Sequence, residues 1–457
     1  MRGAGATPDR NTAVAEARET RGGVHLLRIL GVAFGLAVIV GNTIGAGILR
    51  TPGLVAAQLP SAALVLGVWI VGGLYALIGA LTVSELGAML PRSGGFYVFA
   101  QRAFGNYLGF VVGWTDWLSQ CGTTAAVAMV IGEYSGDLVP ALHGRTVATA
   151  CTATLVLAAA QWRGIRWGSL VQNITTTLKA LAFLALIAAI FLLAPARPEV
   201  AHAAFRSGMP LFAALIVACQ AVIYTYDGWY AVIYFGEEVR QPGRDIPRAM
   251  IGGVVVVMAI YVGVNAALLY AMPLDRIAGQ DLALGAVAAA IFGPHGDTMI
   301  RAITIVSMLS GINAYHLMAS RIPVAMARDD MVPAALGLVN RGGTPTVALA
   351  ASAAAAVLFI LTGSFERVAG TLALFFVADY ALAYIAVFVL RRREPQLPRP
   401  FRVPGYPWTP ALALMVSVAF VIGAIFSDTR HSLYSLAVLA GSYPLYLVLR
   451  QAVALRR

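Results

Sequence analysis

The amino-acid sequence predicts an all-α, polytopic membrane protein. Hydrophobic residues make up 59% of the 457 positions and charged residues only 12%, whereas ordinary soluble domains carry roughly 25% charged residues. Apolar runs of about 20 residues, the length that crosses the hydrocarbon core of a bilayer, recur along nearly the whole chain. A soluble fold is therefore disfavoured, and the length of the chain reflects a number of helices rather than several globular domains.

Twelve of these apolar runs are predicted to be transmembrane helices. Residues 1–25, which precede them, are polar, mixed in charge and without periodicity, so we expect a disordered tail rather than a signal peptide. The stretch 281–292 is apolar but too short to span, and we expect it to lie on the external surface. Residues 26–452 form one membrane domain. The predicted spans are 28–50, 61–90, 107–132, 146–162, 168–194, 209–236, 249–272, 299–325, 346–363, 367–390, 409–427 and 432–450.

Arginine is distributed unequally between the two sets of loops. With twelve spans both termini share one side, and that side carries about three times as many arginines as the other. The positive-inside rule then places both termini in the cytoplasm of a plasma (inner) membrane protein. The net charge of +11 is explained by this topology, so the expected partners include membrane lipids and no nucleic acid.

Two predicted helices are interrupted by glycine-containing segments. The first span contains VGNTIGAGIL at 40–49, and the sixth contains YTYDGWY at 224–230. The two spans open corresponding halves of the domain, and matched interruptions of this kind mark the substrate site in secondary transporters. Close helix packing through small residues is the alternative role of the glycines. No repeat is visible residue by residue, so the prediction depends on the spacing of the breaks.

The chemistry of a broken helix favours a zwitterionic ligand. Gly45 and Gly47 allow the backbone to leave helical dihedral angles, which frees N–H groups at a helix N-terminus, where anions bind. The spare carbonyl groups near Tyr224, Thr225 and Asp227 suit an ammonium group. One amino acid would satisfy both ends.

Lys179 is the only lysine of the chain and lies well inside the fifth span. An ionisable group at that depth costs at least about 2.5 kcal/mol, so it is a functional-site hypothesis by default. Its ammonium is predicted to bond freed carbonyls of the first helix in place of a sodium ion. Snorkelling to the membrane edge is the alternative.

The second break offers further candidate residues. Asp227, next to Gly228, either contacts a substrate ammonium or bonds the frayed backbone of the break. Tyr224 and Trp229 are candidate gating residues, although aromatic side chains also serve ordinary packing between spans.

No pattern indicates an enzyme, a metal or a cofactor. GNTIGAG follows no predicted strand and lacks the Lys and Ser/Thr of a phosphate-binding loop, and the six histidines show no metal-ligand spacing. Glu85, Asp116 and Asp379 are further acids in or near the spans; nothing in the sequence connects them with the breaks, so we expect structural pairing. The cysteines lie in apolar runs and predict no disulfide: Cys121, Cys151 and Cys219.

Five motifs, in order, resemble those of the amino acid–polyamine–organocation superfamily, and the chain is most similar to its bacterial amino acid permeases and L-amino acid transporter branch over about residues 28–452. The motifs are GNTIGAGIL, PRSGGFYVFAQRAFG (91–105), YDGW followed by GEEVRQPGRDIPRAM (236–250), SRIPVAMARDDMVP (320–333) and PFRVPGYPWTP (400–410).

The resemblance implies a LeuT-type fold of twelve transmembrane helices. Its 5+5 inverted repeat would comprise 26–194 and 209–390, with discontinuous helices 1 and 6 and two peripheral helices, 11 and 12, at 409–452. Lys179 matches the lysine of related sodium-independent members. The implied substrate contacts are Thr43, Ala46, Gly47, Tyr224, Thr225 and Asp227.

The resemblance also implies a function. We expect a sodium-independent secondary transporter of small, neutral L-amino acids that works by alternating access, as an exchanger or a proton symporter. Asn42 and Thr43 replace aliphatic residues, so a more polar pocket is expected, and Asp227 keeps a carrier of cationic amino acids or polyamines as the alternative. A non-transporting sensor is less favoured. No cysteine occurs between Glu133 and Arg145, so we expect no disulfide-linked partner subunit.

Overall fold

The computed structural model describes residues 26–45, 47–194, 208–293, 295–362, 365–427 and 429–454. The predicted tail, 1–25, lies outside the described residues. Within these ranges the chain is α-helical and contains no β-strand. Numbered in chain order, the α-helices are α1 (Val32–Thr43), α2 (Gly47–Gln58), α3 (Ala62–Met89), α4 (Phe96–Phe104), α5 (Asn106–Leu138), α6 (Thr146–Trp162), α7 (Ile165–Leu193), α8 (Leu211–Thr225), α9 (Pro242–Ala271), α10 (Leu274–Ile277), α11 (Ala283–Phe292), α12 (His295–Arg328), α13 (Thr346–Leu361), α14 (Phe365–Arg393), α15 (Trp408–Ser427) and α16 (Thr429–Ala454).

The prediction of a polytopic helical membrane protein is confirmed. In the described part of the chain, seven helices are each long and apolar enough to cross a membrane, and the bent pair α1 and α2 makes an eighth candidate. The single helices are α3, α7, α9, α12, most of α14, α15 and most of α16. Helix is also present in every other predicted span. The short stretch at 281–292 contains the helix α11, which buries Leu284 and Val287; its place on the external surface stays a prediction.

The first predicted span is two helices that meet at an angle of 47°. The backbone ladder of α1 ends where the Ile44 N–H bonds the Val40 carbonyl, and α2 starts at Gly47. The sequence placed the end of this span at residue 50, which is too early, because α2 continues through Pro52 to Gln58. Burial of apolar side chains such as that of Val55 on α2 stabilises the helix beyond the proline.

The second break follows α8. Turns occupy residues 226–230, and a single 3₁₀ turn, Ala231–Tyr234, carries the chain onward before α9 begins. Gly228 has φ +108°, a conformation that glycine adopts without strain.

The two halves of the first broken helix are attached to different neighbours. Before α1, Leu30 exchanges backbone hydrogen bonds with the segment after the second break: its N–H donates to the Glu238 carbonyl at 2.8 Å, and its carbonyl accepts from the Arg240 N–H at 2.8 Å. In α2 the Gly53 carbonyl accepts from the Gly279 N–H at 2.9 Å. α1 is thus tied to the second broken segment, whereas α2 is tied to the loop after α10.

Buried ion pairs hold the helix ends that are predicted to be cytoplasmic. Arg321 and Glu238 form two hydrogen bonds of 3.0 Å, with both side chains at most 1% exposed. Glu85 accepts from Arg391 at 2.8 and 2.6 Å and from the backbone N–H of Val403 at 2.7 Å. The expectation that Glu85 makes a structural pair is confirmed.

Candidate functional site

A cavity of about 220 Å³ lies where the two broken helices meet. Six of the predicted substrate-binding residues line it. Helices α5, α12 and α14 supply most of the rest. The lining residues are Asn42, Thr43, Gly45, Gly47, Thr123, Ala126, Val127, Val130, Tyr224, Thr225, Asp227, Ser307, Met308, Gly311, Tyr315 and Phe376.

The N-terminus of α2 faces this cavity. Gly45 borders open space, since a Cβ atom there would meet nothing nearer than 4.0 Å. Gly47 lies against α8, where a Cβ atom would approach Thr225 Cγ2 to 2.8 Å. Ala46, between them, lies outside the described residues. The first amides of a helix lack intrahelical partners and carry partial positive charge, so this end of α2 is suited to an anion.

One tyrosine joins the carbonyl ends of both broken helices. The Tyr261 hydroxyl lies 2.6 Å from the Thr43 carbonyl oxygen and 3.1 Å from that of Thr225. The hydroxyl groups of Thr51 and Thr225 are also hydrogen-bonded, at 2.8 Å. α1, α2 and α8 therefore share one polar junction beside the cavity. Tyr261 was not predicted, because a single tyrosine in the apolar run of α9 carries no distinguishing signal.

Lys179 lies behind the break rather than in the cavity. Its side chain is 1% exposed, and Nζ donates to the carbonyls of Gly41 at 2.8 Å and Ile44 at 2.7 Å. Ser307 Oγ donates to the same Ile44 carbonyl at 3.0 Å. The ammonium makes the carbonyl contacts that the sequence analysis expected and does not snorkel. Its role in coupling stays a prediction.

Two further side chains of α7 bond α1, and a serine of α12 bonds these two side chains in turn. Thr176 Oγ1 and Gln172 Nε2 donate to the Ala37 carbonyl at 3.0 and 3.2 Å. Ser310 Oγ lies 3.1 Å from the Thr176 hydroxyl. These bonds fix the last turns of α1 against two long helices. The break is therefore held at a defined position.

Asp227 lines the cavity and is partly buried. Its carboxylate accepts hydrogen bonds from the hydroxyls of Tyr230, at 3.5 Å, and Tyr380. No basic side chain of the described ranges lies within ion-pair distance of it. Gly228 does not line the cavity; it packs so closely on Asn42 that a Cβ atom would lie 2.7 Å from Nδ2.

The two candidate gating residues lie in different places. Tyr224 is 43% exposed and lines the cavity. Trp229 is 2% exposed, is not part of the cavity wall, and stacks at tilted or edge-on angles on Tyr230 and Tyr380, with ring centroids 5.5 and 5.1 Å away. The positions suit Tyr224 to gating better than Trp229, although both roles stay predictions.

Sequence reasoning missed the cavity wall that α5, α12 and α14 provide. Thr123, Ser307, Tyr315 and Phe376 stand in unbroken apolar helices, where small polar and aromatic residues also serve ordinary packing. Only the identity of the neighbouring helices would have distinguished them.

Asp116 makes structural hydrogen bonds, as the sequence analysis expected. The structure also connects it with the second break, because the Tyr234 hydroxyl at the end of the 3₁₀ turn lies 2.9 and 2.8 Å from its two carboxylate oxygens. Gln120 Nε2 donates to the same carboxylate at 3.0 Å. The two partners are 118 residues apart, so no local pattern could indicate the contact.

A bundle of apolar helices with an internal cavity at two helix breaks defines a multi-pass membrane protein. Across the described ranges, no group of three or more His, Cys, Asp and Glu side chains could hold a metal ion. The polar groups that line the cavity are backbone groups, hydroxyls, the amide of Asn42 and the carboxylate of Asp227.

The chain belongs to the amino acid permease family, whose model matches residues 30–449, and the predicted superfamily membership is confirmed. It is 30% identical to the serine/threonine exchanger SteT of Bacillus subtilis over 92% of this chain and 96% of that protein. It is 28% identical to the mouse Asc-type amino acid transporter 1, over 83% and 73%, and to the mouse large neutral amino acids transporter small subunit 2, over 94% and 83%. Amino acid transport is the activity these relatives share.

Proposed function

We propose that this protein carries small, neutral L-amino acids across the membrane by sodium-independent alternating access, as an exchanger or a proton symporter. The observation that carries the proposal is the cavity itself, in which the N-terminus of α2 and the C-terminal end of α8 border one space of about 220 Å³. A cavity of that volume suits a small amino acid. The relatives of this chain are named for amino acid exchange or transport.

The two ends of the cavity wall have opposite polarity. The amides at Gly45 and Gly47 would bind the substrate carboxylate. The carboxylate of Asp227 and the carbonyls at the end of α8 would bind its ammonium group. The side chain would then extend between α5 and α12, towards Thr123 and Ser307. This orientation places each charged group of the substrate beside groups of opposite polarity at the two breaks.

Sodium independence follows from the place of Lys179. Carbonyl oxygens are ligands that hard cations prefer, and here the ammonium already donates to the Gly41 and Ile44 carbonyls. A fixed cation between these oxygens would replace a transported one.

We extend the proposal to the architecture. Helix in each of the twelve predicted spans, with breaks in the first and sixth, supports a LeuT-type inverted repeat with both termini in the cytoplasm of the inner membrane. All three cysteines are free thiols within or beside apolar surfaces, Cys121 fully buried, which supports action without a disulfide-linked subunit.

The test is uptake of a panel of radiolabelled amino acids by liposomes that contain the purified protein. Empty and amino acid-loaded liposomes are compared, with and without a proton gradient and with sodium or choline as the external cation. Uptake of serine, threonine or alanine that is equal in the two salts supports the proposal. Sodium-dependent uptake would refute the role given to Lys179, and no uptake under any condition would refute transport.

A second candidate is a carrier of cationic amino acids or polyamines. It is favoured by Asp227, a carboxylate on the cavity wall with no ion-pair partner in the described ranges. Lysine, arginine and putrescine are therefore added as competitors. Competition stronger than that of serine, and lost in Asp227→Asn, would establish the second candidate in place of the first.

A further inference from the structure

A second polar cluster lies inside the helical bundle, away from the cavity wall. It comprises Asp116 and Gln120 of α5, Tyr234 after the second break and Asp379 of α14. The side chains are 0 to 5% exposed. Within the described ranges, no Arg, Lys or His lies within ion-pair distance of either carboxyl group. The cluster is therefore acidic and uncompensated.

Two such carboxyl groups are costly to ionise together. Like charges on Asp116 and Asp379 would repel each other, and a charge in a membrane interior is costly in itself. Neighbouring carboxyls without a cation lower this cost by holding a proton. Gln120 supplies an independent observation, because its Oε1 atom is buried and has no hydrogen-bond donor in the described part of the chain. A carboxyl proton or a water molecule is what this acceptor lacks.

The cluster is connected with the cavity through tyrosines. The Tyr230 ring lies 6.0 Å from that of Tyr234 and 5.3 Å from that of Tyr380. Tyr230 and Tyr380 both bond Asp227 on the cavity wall. The charge of Asp227 also acts on that of Asp116. Substrate at Asp227 and a proton at Asp116 would therefore influence each other.

Other titratable groups face the cluster without neutralising it. They are the thiol of Cys121 on α5, the phenol of Tyr230 in the second break, that of Tyr315 on α12, which interacts electrostatically with Tyr230, and the carboxyl of Asp227. None of them is a base that would hold Asp116 and Asp379 ionised.

The cluster also holds one end of the second broken segment. Tyr234 bonds Asp116 with its hydroxyl, and its carbonyl accepts from the Gly94 N–H at 3.2 Å. Its ring fills the space beside Gly95, where a Cβ atom would lie 2.2 Å away. An ionised Asp116 offers only acceptors to the tyrosine, whereas a protonated one has a hydroxyl that donates elsewhere. The proton thus changes the attachment of the break to α5.

We propose that Asp116 and Asp379 form a proton-binding site, and that the proton bound there is coupled to transport through Tyr234 and the second break. The proton adds to one carboxylate oxygen on uptake and leaves the same oxygen on release, so the step needs no other reactant. This inference rests on the proposed transport function.

The experiment uses liposomes that contain the full-length protein, with serine as the probe. Exchange of external labelled for internal unlabelled serine is measured from pH 5 to 8, equal on both sides. Proton movement is followed with an internal pH-sensitive dye in separate liposomes that contain no serine, during net serine uptake. The variants are Asp116→Asn, Asp379→Asn and Asp116→Glu. The control is Glu133→Gln, which changes a carboxylate on the same helix whose side chain is 49% exposed.

Wild-type protein and Glu133→Gln should show exchange that varies with pH by up to about tenfold per pH unit, the steepness of one titrating group. Asp116→Asn and Asp379→Asn should flatten this dependence to less than about twofold overall and abolish proton movement, and Asp116→Glu should restore both. A pH profile of Asp116→Asn that equals the wild-type profile would overturn the proposal, and so would pH-independent wild-type exchange.

A measurement without transport separates this inference from the proposed function. Infrared difference spectra between low and high pH report the carbonyl stretch of a buried protonated carboxyl group. The band should be present in wild-type protein and lost in Asp116→Asn or Asp379→Asn. Its absence from the wild type, or its persistence in both variants, would overturn the proton site even in a protein that transports serine, and its presence would support the site even in a protein that does not.

Discussion

Replacement of Lys179 by methionine tests what a buried ammonium does for the first helix break. Methionine keeps most of the side-chain volume but cannot donate a hydrogen bond. The Ile44 carbonyl would retain its bond from Ser307 Oγ, whereas the Gly41 carbonyl would lose the Nζ donor. The substitution therefore removes two hydrogen bonds. The Ile44 carbonyl keeps a second donor, whereas the Gly41 carbonyl is left without the Lys179 donor.

The expected loss of serine affinity follows from the one carbonyl that is left unpaired. Leaving a buried carbonyl unpaired costs about 1–3 kcal/mol, which corresponds to a factor of about 5 to 150 in an equilibrium constant. Removal of a buried charge also relieves its desolvation cost, which offsets part of the loss in the free energy of unfolding. The relieved desolvation cost does not restore the hydrogen bond that fixes the geometry of the break, on which serine binding depends. We therefore expect a larger effect on serine affinity than on thermal stability.

Binding of labelled serine to purified Lys179→Met protein in detergent gives Kd, and the melting temperature of the same sample gives stability. Thr175→Val is the matched control, since the Thr175 hydroxyl bonds only carbonyls of its own helix, such as that of Val171 at 2.7 Å. The control should bind serine as the wild type does. Wild-type Kd in Lys179→Met would refute the reasoning, because the break would then hold its shape without the ammonium.

Four other substitutions test the site and the helices that hold it. Gly47→Val should reduce serine affinity at least about tenfold, because its Cβ would lie 2.8 Å from Thr225 Cγ2. Gly45→Ala adds a methyl group that points into open space, so this variant should fold normally. In a competition assay it should reject the larger substrates first. Tyr261→Phe removes the donor shared by two carbonyls, so binding should weaken by about 1–3 kcal/mol in the same assay. Arg321→Met leaves a buried carboxylate unpaired at a cost of about 3–5 kcal/mol, which a fall in melting temperature would show; an unchanged melting temperature would contradict it.

Hydrophobicity determined most of what could be predicted about the fold. Each run long enough to span was identifiable, because one chemical property repeated over about 20 residues outweighs local exceptions. Helix ends were harder to predict. The first span was predicted to end at residue 50, yet α2 continues through Pro52 and Gly53 to Gln58, because burial of that helix depends on tertiary neighbours that the sequence does not identify.

The candidate site likewise contains residues that the sequence predicted and residues that it did not. Glycine in an apolar helix is a local signal, so Gly45, Gly47 and the segment around Asp227 were predictable, and a lone buried lysine was equally visible. Tyr261, Ser307 and the contact of Tyr234 with Asp116 were not. Their significance arises only from which helices are adjacent, and hydrophobic periodicity contains no information about that.

The separate attachment of α1 and α2 has a mechanical consequence. The backbone ladder of α1 ends at Ile44 and that of α2 begins at Gly47, so rotation of one half against the other between them breaks no helical backbone bond. The carbonyls at this interruption accept hydrogen bonds from the buried side chains of Lys179, Ser307 and Tyr261. The angle between α1 and α2 is therefore set by these side-chain bonds and by the neighbours of each half, and not by backbone hydrogen bonds between the two halves.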